Sequence, residues 1–454
     1  MNNESKSYRD SKNRLDTYSV AEQLLKDYHV ISLNDRLYIY NNGIYEDNLK
    51  ELESAIRRLG RGAKTAEINS TFDNLFSMVP AREESGYELV AFNNCIVNFR
   101  TLETFDFDPD KYVITSRVFA DYGVDADAST VQLVDKFFND ISDNDTELRD
   151  CLFEIIGYCM LRTAMYHRAF ILKGNANNGK SDYIHIIDSL IGAYCTHQDL
   201  TQLSTLSNIK KLYHNTANII DDVMELTRVD FDKIHSIITG GVIATKSTGD
   251  VEFAFAPYST LVLATTHNLD FSSCNDETLR RFKVVPFNTK FDSSTVDRYM
   301  TQNITAPSSL NVIATRAIQA VNKLGKEWEF PTVVENTTVA YFSEGNPVLA
   351  FGKAYPIKRI ISVDDYYTDF YKWYTNTFSV ESCPVSISVF GKRLSELLNI
   401  KSIPHTIQGV KDTYYQAKDF DFEKFRQQYE DYCKSLDNGQ SPMSASKYAK
   451  SLDK

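Results

Sequence analysis

Apolar residues recur along the chain in two patterns, one typical of helices and one typical of buried strands. From residue 131 to residue 161 the apolar positions are spaced by three and four, with a turn-rich break at residues 142–145, which predicts two helices. Four short apolar runs follow, separated by helical patterns, at residues 169–172, 217–220, 261–265 and 282–287. Short strands that alternate with helices indicate an α/β core built on a mostly parallel sheet with flanking helices.

The segments on either side of this core have other patterns. Residues 18–127 mix short β-like and helical stretches, which predicts an α+β N-terminal region. Beyond residue 331, two helical patterns precede a turn-linked β pair at residues 401–417, the size and order of a winged-helix module. We therefore predict four regions: an α+β region at 1–127, the α/β domain with its leading helices at 128–329, a winged-helix-like domain at 330–418, and a partly disordered polar tail at 419–454.

The composition excludes several classes of protein. A net charge of −12 argues against a protein that coats nucleic acid over its whole surface, but it allows a local basic element. No apolar run approaches the roughly 18 residues of a membrane span, and the polar amino terminus does not have the pattern of a secretory signal. The seven cysteines include no Cys-x-x-Cys pair, which favours buried thiols in a reducing cytoplasm over a disulfide framework or a zinc site.

The segment after the first apolar run has the spacing of a P-loop, G-x-x-x-x-G-K-S, and a helical pattern follows it. In such a loop the backbone N–H groups and the helix N-terminus surround phosphate oxygens. Lys180 is then expected to reach the β- and γ-phosphates of ATP, and Ser181 to hold Mg²⁺. The predicted nucleotide-binding residues are Gly174, Asn175, Ala176, Asn177, Asn178, Gly179, Lys180 and Ser181.

Polar residues also follow the later apolar runs. Asp221 and Asp222 end the second run, and consecutive side chains of a strand point to opposite sides. One carboxylate is thus expected to orient the Mg²⁺ shell, while the other polarises the attacking water. Asn268 follows the third run, where ligands bind in parallel sheets, and is expected to contact the γ-phosphate or its water. Phosphoryl transfer also needs positive charge, which the Arg280–Arg281 pair of a neighbouring subunit can supply.

The order of these motifs resembles that of superfamily 3 helicases. Between about residues 88 and 418 the chain carries, in order, the P-loop, the Asp-Asp pair, Ile-Thr-Gly-Gly, Thr-Thr-His-Asn and Leu-Arg-Arg-Phe-Lys-Val-Val-Pro-Phe. It is most similar to the phage and plasmid primase-helicase branch, which also includes the poxvirus primase-helicase. The resemblance implies that Asp221 and Asp222 are the Walker B acids, that Asn268 is the sensor, and that the second arginine of the pair, Arg281, is the arginine finger.

The same resemblance implies an AAA+-like core, a hexameric ring and a C-terminal winged helix. The family has a DNA-gripping hairpin before the sensor strand, and the matching position here is a tight turn with one lysine, Lys246, where the family often has more basic residues. One lysine per subunit, repeated around a ring, still places a ring of positive charge in a central channel. In the winged helix Lys392 and Arg393 are the predicted DNA contacts, although such a domain can equally contact protein.

These expectations describe a hexameric, Mg²⁺-dependent DNA helicase that hydrolyses ATP at subunit interfaces and acts on single-stranded or forked DNA. It would replicate a phage, plasmid or mobile element in the cytoplasm of a bacterial host, with no membrane and with host or phage replication proteins as further partners. The alternative is an origin-binding initiator or loader whose ATPase drives assembly without processive unwinding. A small-molecule P-loop kinase is disfavoured, because the predicted roles of Asn268 and Arg281 need a subunit interface. The N-terminal region is short for a full polymerase-type primase domain, so we expect no primer synthesis.

Overall fold

The structure of the chain is a computed structural model that describes residues 8–226, 228–245, 253–271, 274–291, 299–345, 347–378, 382–383, 385–436 and 440–452. The chain divides into two units. The first comprises Met1–His267 and Arg281–Glu335, and the second comprises Asn268–Arg280 and Asn336–Lys454. Within the described ranges, no helix combines the length and the apolar character needed to cross a membrane.

The N-terminal α+β region lies in the first unit and carries two small antiparallel sheets. Its elements are α1 (Thr17–Asp27), β1 (Val30–Leu33), β2 (Arg36–Asn41), β3 (Ile44–Glu46), α2 (Lys50–Leu59), α3 (Thr65–Met78), β4 (Leu89–Ala91), β5 (Ile96–Asn98) and β6 (Thr104–Phe105). Strands β1 and β2 form a hairpin through Asn34 and Asp35, whose φ angles are +48° and +57°. Two residues with positive φ make the tight turn whose twist matches that of the strands, and Asn and Asp tolerate it.

The core of the first unit alternates strands and helices, as the apolar runs predict. In chain order the elements from residue 128 to residue 322 are α4 (Ala128–Ile141), α5 (Thr146–Cys159), β7 (Ala169–Lys173), α6 (Lys180–Ile191), β8 (Cys195–Thr196), α7 (Leu206–Ile209), β9 (Ala217–Ile220), α8 (Phe231–Thr239), β10 (Ile243–Thr245), β11 (Phe253–Phe255), β12 (Thr260–Thr265), α9 (Asp276–Leu279, in the second unit), β13 (Phe282–Pro286), α10 (Met300–Ile304) and α11 (Pro307–Asn322). Short 3₁₀ turns lie at Gly192–Tyr194, Gln202–Ser204 and Lys210–Leu212.

Five of these strands form one parallel sheet in the order β13–β7–β12–β9–β8. All six residues of β12 are buried, as expected for a central strand whose two faces are both covered by helices. The predicted mostly parallel sheet with flanking helices is therefore confirmed. Because the strands run in one direction, the carboxyl ends of β7, β12 and β9 meet at one edge of the sheet.

Helices α5 and α11 cross closely because Gly157 has no side chain at their contact. A Cβ atom at Gly157 would lie 2.4 Å from the carbonyl oxygen of Ala317 and 3.1 Å from Cβ of Val321. Near the ends of these helices the indole of Trp328 packs edge-on against Tyr158, with the ring centroids 5.4 Å apart. The indole N–H donates to Oε2 of Glu154 at 2.8 Å, so the polar atom of this buried ring has its partner.

The second unit has a three-stranded antiparallel sheet and a core of aromatic side chains. Its larger elements are α13 (Pro347–Ala354), β14 (Ile360–Ser362), α14 (Val363–Phe378), α15 (Ile387–Leu398), β15 (Ser402–Ile407), β16 (Val410–Gln416), α16 (Phe422–Lys434) and α17 (Ala445–Ser451), while α12 (Thr332–Gly345) runs across the boundary between the units. The strand order is β14–β16–β15. Phe370 of α14 stacks on Phe390 of α15, with the ring centroids 4.6 Å apart. The identity of this module as a winged helix stays a prediction.

The segment that we expected to be a partly disordered polar tail contains the helices α16 and α17. Phe425 and Tyr429 are spaced by four residues on α16, and both are buried in a cluster with Ile360 and Tyr414 of the sheet. The many charged residues of this segment lie on the other positions of the helix, which explains why its composition alone suggested a solvated tail.

The contact at Gly157 generates a stability prediction. Alanine has the better helix propensity, but its Cβ would press on a main-chain carbonyl that cannot turn away, so we expect Gly157→Ala to lower the free energy of unfolding by about 1–2 kcal/mol. Urea unfolding followed by circular dichroism measures this change. Gly325→Ala is the matched control, because its Cβ would meet its nearest atom at 3.7 Å. An unchanged stability of Gly157→Ala would show that α5 and α11 do not cross as described.

Candidate active site

Strand β7 leads into the P-loop, and α6 begins at the lysine that ends it. Gly179 has a φ of +84°, and a Cβ there would lie 2.5 Å from Cγ2 of Ile141 on α4. Both the left-handed backbone and the contact with α4 therefore require glycine. At the other end of the loop, a Cβ on Gly174 would lie 2.2 Å from the carbonyl oxygen of Phe287. The two glycines of the motif thus let the loop turn tightly while it touches neighbouring elements.

The buried side chain of Asn178 holds the P-loop in place through hydrogen bonds. Its side chain is buried, and Nδ2 donates to the carbonyl oxygen of Phe287 at 2.7 Å, just beyond β13. Its Oδ1 accepts from Nζ of Lys180 at 3.0 Å. The main-chain carbonyl of Asn177 accepts from the amide of Phe291 at 3.1 Å. The loop is therefore held to the segment after β13 by hydrogen bonds.

Lys180 places a buried ammonium group against the P-loop. Nζ donates to the carbonyl oxygens of Gly174 and Asn175, at 2.7 Å each, and the residue is 8% exposed. Burial lowers the pKa of Lys180, because it penalises the charged form, while the negative charges of Asp221 and Asp222 raise it. The amine is thus within electrostatic reach of both carboxylates.

The two aspartates lie in the turn that follows β9. Both are exposed, and Asp222 adopts a φ of +52°, a left-handed conformation that Asp tolerates better than most residues. The next amide, that of Val223, donates to the carbonyl of Ala264 on β12 at 2.8 Å. The hydroxyl of Thr265 donates to the carbonyl of Val223 at 2.6 Å. The turn is therefore tied to β12 immediately after the acidic pair.

These groups line one cleft of about 450 Å³ at the carboxyl edge of the sheet. Because β12 lies between β7 and β9, the residues that end it separate the P-loop from the acidic pair. The lining residues are Ala176, Asn177, Asn178, Gly179, Lys180, Ser181, Asp182, Asp221, Asp222, Ala264, Thr265 and Thr266. The cleft has the size of a site for a small organic ligand, with a helix N-terminus, a cation and two carboxylates at its wall.

Several other predicted residues lie elsewhere. Asn268 belongs to the second unit, so its predicted contact with a γ-phosphate stays a prediction. Lys392 and Arg393 lie on α15 of that unit, where Lys392 is exposed and Arg393 is half-buried. Lys246, with the predicted DNA-gripping turn, lies outside the described residues.

Arg281 lies at the opposite edge of the sheet from the cleft. It immediately precedes β13, and its carbonyl accepts from the amide of Ala169, the first residue of β7. Five strand residues separate this edge from the other, a distance of roughly 16 Å. The guanidinium is half-buried, and its Nε has no hydrogen-bond partner among the described residues. Its positive charge adds to burial in lowering the pKa of His167.

Four residues that line the cleft were not predicted from the sequence, namely Asp182, Ala264, Thr265 and Thr266. Thr266 lines it directly, and Asp182, on the first turn of α6, lines it while accepting a hydrogen bond from Thr301 of α10. The signal for Thr266 was present, since it directly follows a strand whose carboxyl end was already expected at the site. The role of Asn178 in holding the P-loop was not predictable from local sequence, because its partner Phe287 lies 109 residues away.

Comparison with known proteins shows similarity at the level of the fold. No protein-family profile and no curated protein sequence matches the chain. Among solved structures, the apo structure of the C-terminal region of NrS-1 matches with a TM-score of 0.50 and 11% identity, over 88% of this chain and 99% of that one. A second structure of the same region, its A form, gives a TM-score of 0.48 with 11% identity, over 88% and 98% of the two chains. The first of these two matches shows a fold shared with that region.

The hydrogen bonds of Asn178 predict that its replacement causes a defect in ligand binding. We expect Asn178→Ala to weaken the binding of ATP, the ligand predicted from the sequence, about tenfold, because the loop loses its hydrogen bond to Phe287 and a buried carbonyl loses its partner. Anisotropy of a fluorescent ATP analogue measures the affinity. Asn48→Ala is the matched control, since Asn48 is an exposed asparagine of the N-terminal region and does not line the cleft. Equal affinities of the two variants would show that Asn178 does not hold the P-loop in the shape that binds the ligand.

Proposed function

We propose that this chain is an ATP-driven DNA helicase of superfamily 3, which works as a hexameric ring in the replication of a phage, plasmid or mobile element. The observation that carries the proposal is the cleft at the carboxyl edge of the parallel sheet, where Lys180 lies with Asp221 and Asp222. A cation at the end of a P-loop, facing two carboxylates, is the arrangement that phosphoryl transfer from a nucleotide needs.

The residues of the cleft fit ATP and Mg²⁺. The hydroxyl of Ser181 and the carboxylate of Asp221 are oxygen ligands of the kind that Mg²⁺ prefers, and both line the cleft. Bound there, Mg²⁺ would neutralise charge on the phosphate oxygens. Lys180 would exchange its bonds to the loop carbonyls for bonds to the β- and γ-phosphates, a substitution of one set of oxygen acceptors for another.

Hydrolysis transfers the γ-phosphoryl group of ATP to water, giving ADP and phosphate. Asp222 polarises the attacking water and takes its proton, while Asp221 orients the metal shell. Asp221 and Asp222 both follow the end of β9 and both line the cleft, which supports a part for each carboxylate in the reaction. Asn268 would hydrogen-bond the γ-phosphate or the water.

Arg281 supports the proposed ring. A finger arginine must touch the transferring phosphate, yet Arg281 lies roughly 16 Å from the edge that carries its own cleft. It can therefore serve only a cleft of another subunit. Arg281 is half-buried, so part of its side chain stays accessible for such a contact.

DNA binding would rest on a few local cations, because the chain as a whole carries a net charge of −12. Lys246 would line the central channel, and Lys392 and Arg393 would contact phosphates through the C-terminal module. Single-stranded or forked DNA is the proposed substrate, and other replication proteins are the proposed partners. Loading onto an origin without unwinding remains the second interpretation of the same ATPase.

The acidic pair gives a test of hydrolysis. Lys180→Ala should abolish ATPase activity by removing the cation at the phosphates, whereas Asp222→Asn should bind ATP and fail to turn it over. Phosphate release and ATP-analogue binding, measured on the same samples, separate the two defects. Asp143→Asn is the matched control for Asp222→Asn, because Asp143 is also exposed with a positive φ, in the turn after α4. Normal turnover by Asp222→Asn would refute its assigned role.

The position of Arg281 gives a test of the ring. Arg281→Ala should bind ATP and hydrolyse it poorly, by the roughly 10³–10⁵-fold that loss of a finger costs, and an equal mixture with Lys180→Ala should regain activity at about a quarter of its interfaces. Steady-state ATPase assays across mixing ratios measure this rescue. Arg280→Ala is the control, since Arg280 is 65% exposed and pairs with Glu277. Failure of every mixture to regain activity would contradict an interfacial site.

A further inference from the structure

Three side chains of types that bind metal ions lie close together next to β8, the outermost strand of the parallel sheet, away from the P-loop. Asp188 lies on α6, Cys195 on β8, and His197 two residues later. One ligand atom from each lies within 4.8 Å of the others. No role assigned so far to the chain uses any of the three, and the cleft that holds Lys180 does not include them.

The hydrogen bond of the histidine ring leaves its other nitrogen available as a ligand. Nδ1 of His197 lies 3.3 Å from the carbonyl oxygen of Ile219, and because a carbonyl only accepts, Nδ1 must carry the proton. In the neutral ring Nε2 then has a lone pair, and it lies 3.2 Å from Oδ1 of Asp188. Two lone pairs at that distance need a proton or a cation between them. A backbone carbonyl that fixes the ring through one nitrogen is the usual support of a metal-binding histidine.

The distances suit a tetrahedral ion. With Zn–N of about 2.0–2.1 Å and Zn–O of about 2.0–2.2 Å, tetrahedral geometry separates the two ligand atoms by roughly 3.3–3.5 Å, close to the spacing of His197 and Asp188. The thiol of Cys195 supplies the soft ligand that selects zinc over Mg²⁺. Three protein ligands leave the fourth position of a tetrahedron for water.

The backbone that carries His197 is held on both sides. The hydroxyl of Thr196 donates to Oδ1 of Asn218 at 2.8 Å, and the amide of Gln198 donates to the same oxygen at 2.9 Å. Asn218 is fully buried on β9, and its Nδ2 returns a bond to the carbonyl of Gln198 at 2.9 Å. The backbone at His197 therefore needs little ordering when an ion arrives, which favours binding.

We propose that Asp188, Cys195 and His197 form a site for a zinc-like divalent ion. On binding, the thiol of Cys195 loses its proton to solvent and bonds to the metal through sulfur, while His197 donates the Nε2 lone pair and Asp188 an oxygen. The ion joins α6, which begins at Lys180, to the end of β8, and His197 in turn bonds the strand that leads to Asp221. Zinc thereby braces the two elements that carry the P-loop lysine and the acidic pair. The site does not rest on the proposed helicase function.

Cobalt(II) and zinc titrations of the purified, metal-free chain test this site. Cobalt should give a visible spectrum with a thiolate-to-metal band, and zinc should displace it. Asp188→Asn, Cys195→Ser and His197→Gln should each weaken zinc binding by at least roughly 10–100-fold, and Cys195→Ser should also remove the thiolate band. Zinc should raise the melting temperature of the unaltered chain and leave that of His197→Gln unchanged.

Two controls keep the outcome specific. Cys95→Ser removes another half-buried thiol, and His185→Gln removes an exposed histidine on the same helix, so both variants should bind zinc as the unaltered chain does. Circular dichroism of each variant shows whether it is folded. Cobalt binding without a thiolate band, or zinc affinity that survives in Cys195→Ser and His197→Gln, would overturn the proposal and leave an ordinary His197–Asp188 ion pair.

Discussion

The parallel pairing of β12 between β7 and β9 is the constraint on which the candidate active site depends. It brings the carboxyl ends of the strands that carry the P-loop and the acidic pair to one edge, although Lys180 and Asp221 lie 41 positions apart in the printed sequence. Hydrogen bonds across β12 then fix the turn after β9, through Val223 and Thr265. Without this pairing, the lysine and the two carboxylates would have no common cleft.

Charge is concentrated at this edge in a chain that is acidic overall. The ammonium of Lys180 is held by three oxygen acceptors of its own loop, which compensate for part of its lost hydration. The two aspartates stay exposed, so they keep water around their charges and can accept a metal. A buried cation next to solvated anions is ready for a ligand that brings negative charge and Mg²⁺ together, which is the chemistry that the proposed function requires.

Much of this arrangement was predictable, because the relevant signals are local. The apolar run at 217–220 is β9 itself, and the runs at 169–172 and 261–265 differ from β7 and β12 by one residue at an end. The P-loop needs no distant residue to be identified. In contrast, β8 has two residues, too few for a period, and the proposed cluster joins Cys195 and His197 to Asp188 of α6 through proximity in the fold. The spacing of the cysteines therefore predicts no zinc site, because the sequence contains no Cys-x-x-Cys pair. The helices of the C-terminal segment were not predicted, because its charged residues outnumber Phe425 and Tyr429, the two aromatic residues through which α16 packs on the sheet.

Strand displacement on a forked DNA substrate is the measurement that tests the central claim most directly. The unaltered chain, supplied with ATP and Mg²⁺, should release the labelled strand at a rate that depends on ATP, and Lys180→Ala should release none. Arg280→Ala should displace the strand as the unaltered chain does, because Arg280 lies outside the proposed chemistry. ATP hydrolysis and ATP-dependent assembly on DNA with no strand release would contradict the helicase and leave the loader. Strand release by Lys180→Ala at the normal rate would contradict the role of the cleft itself.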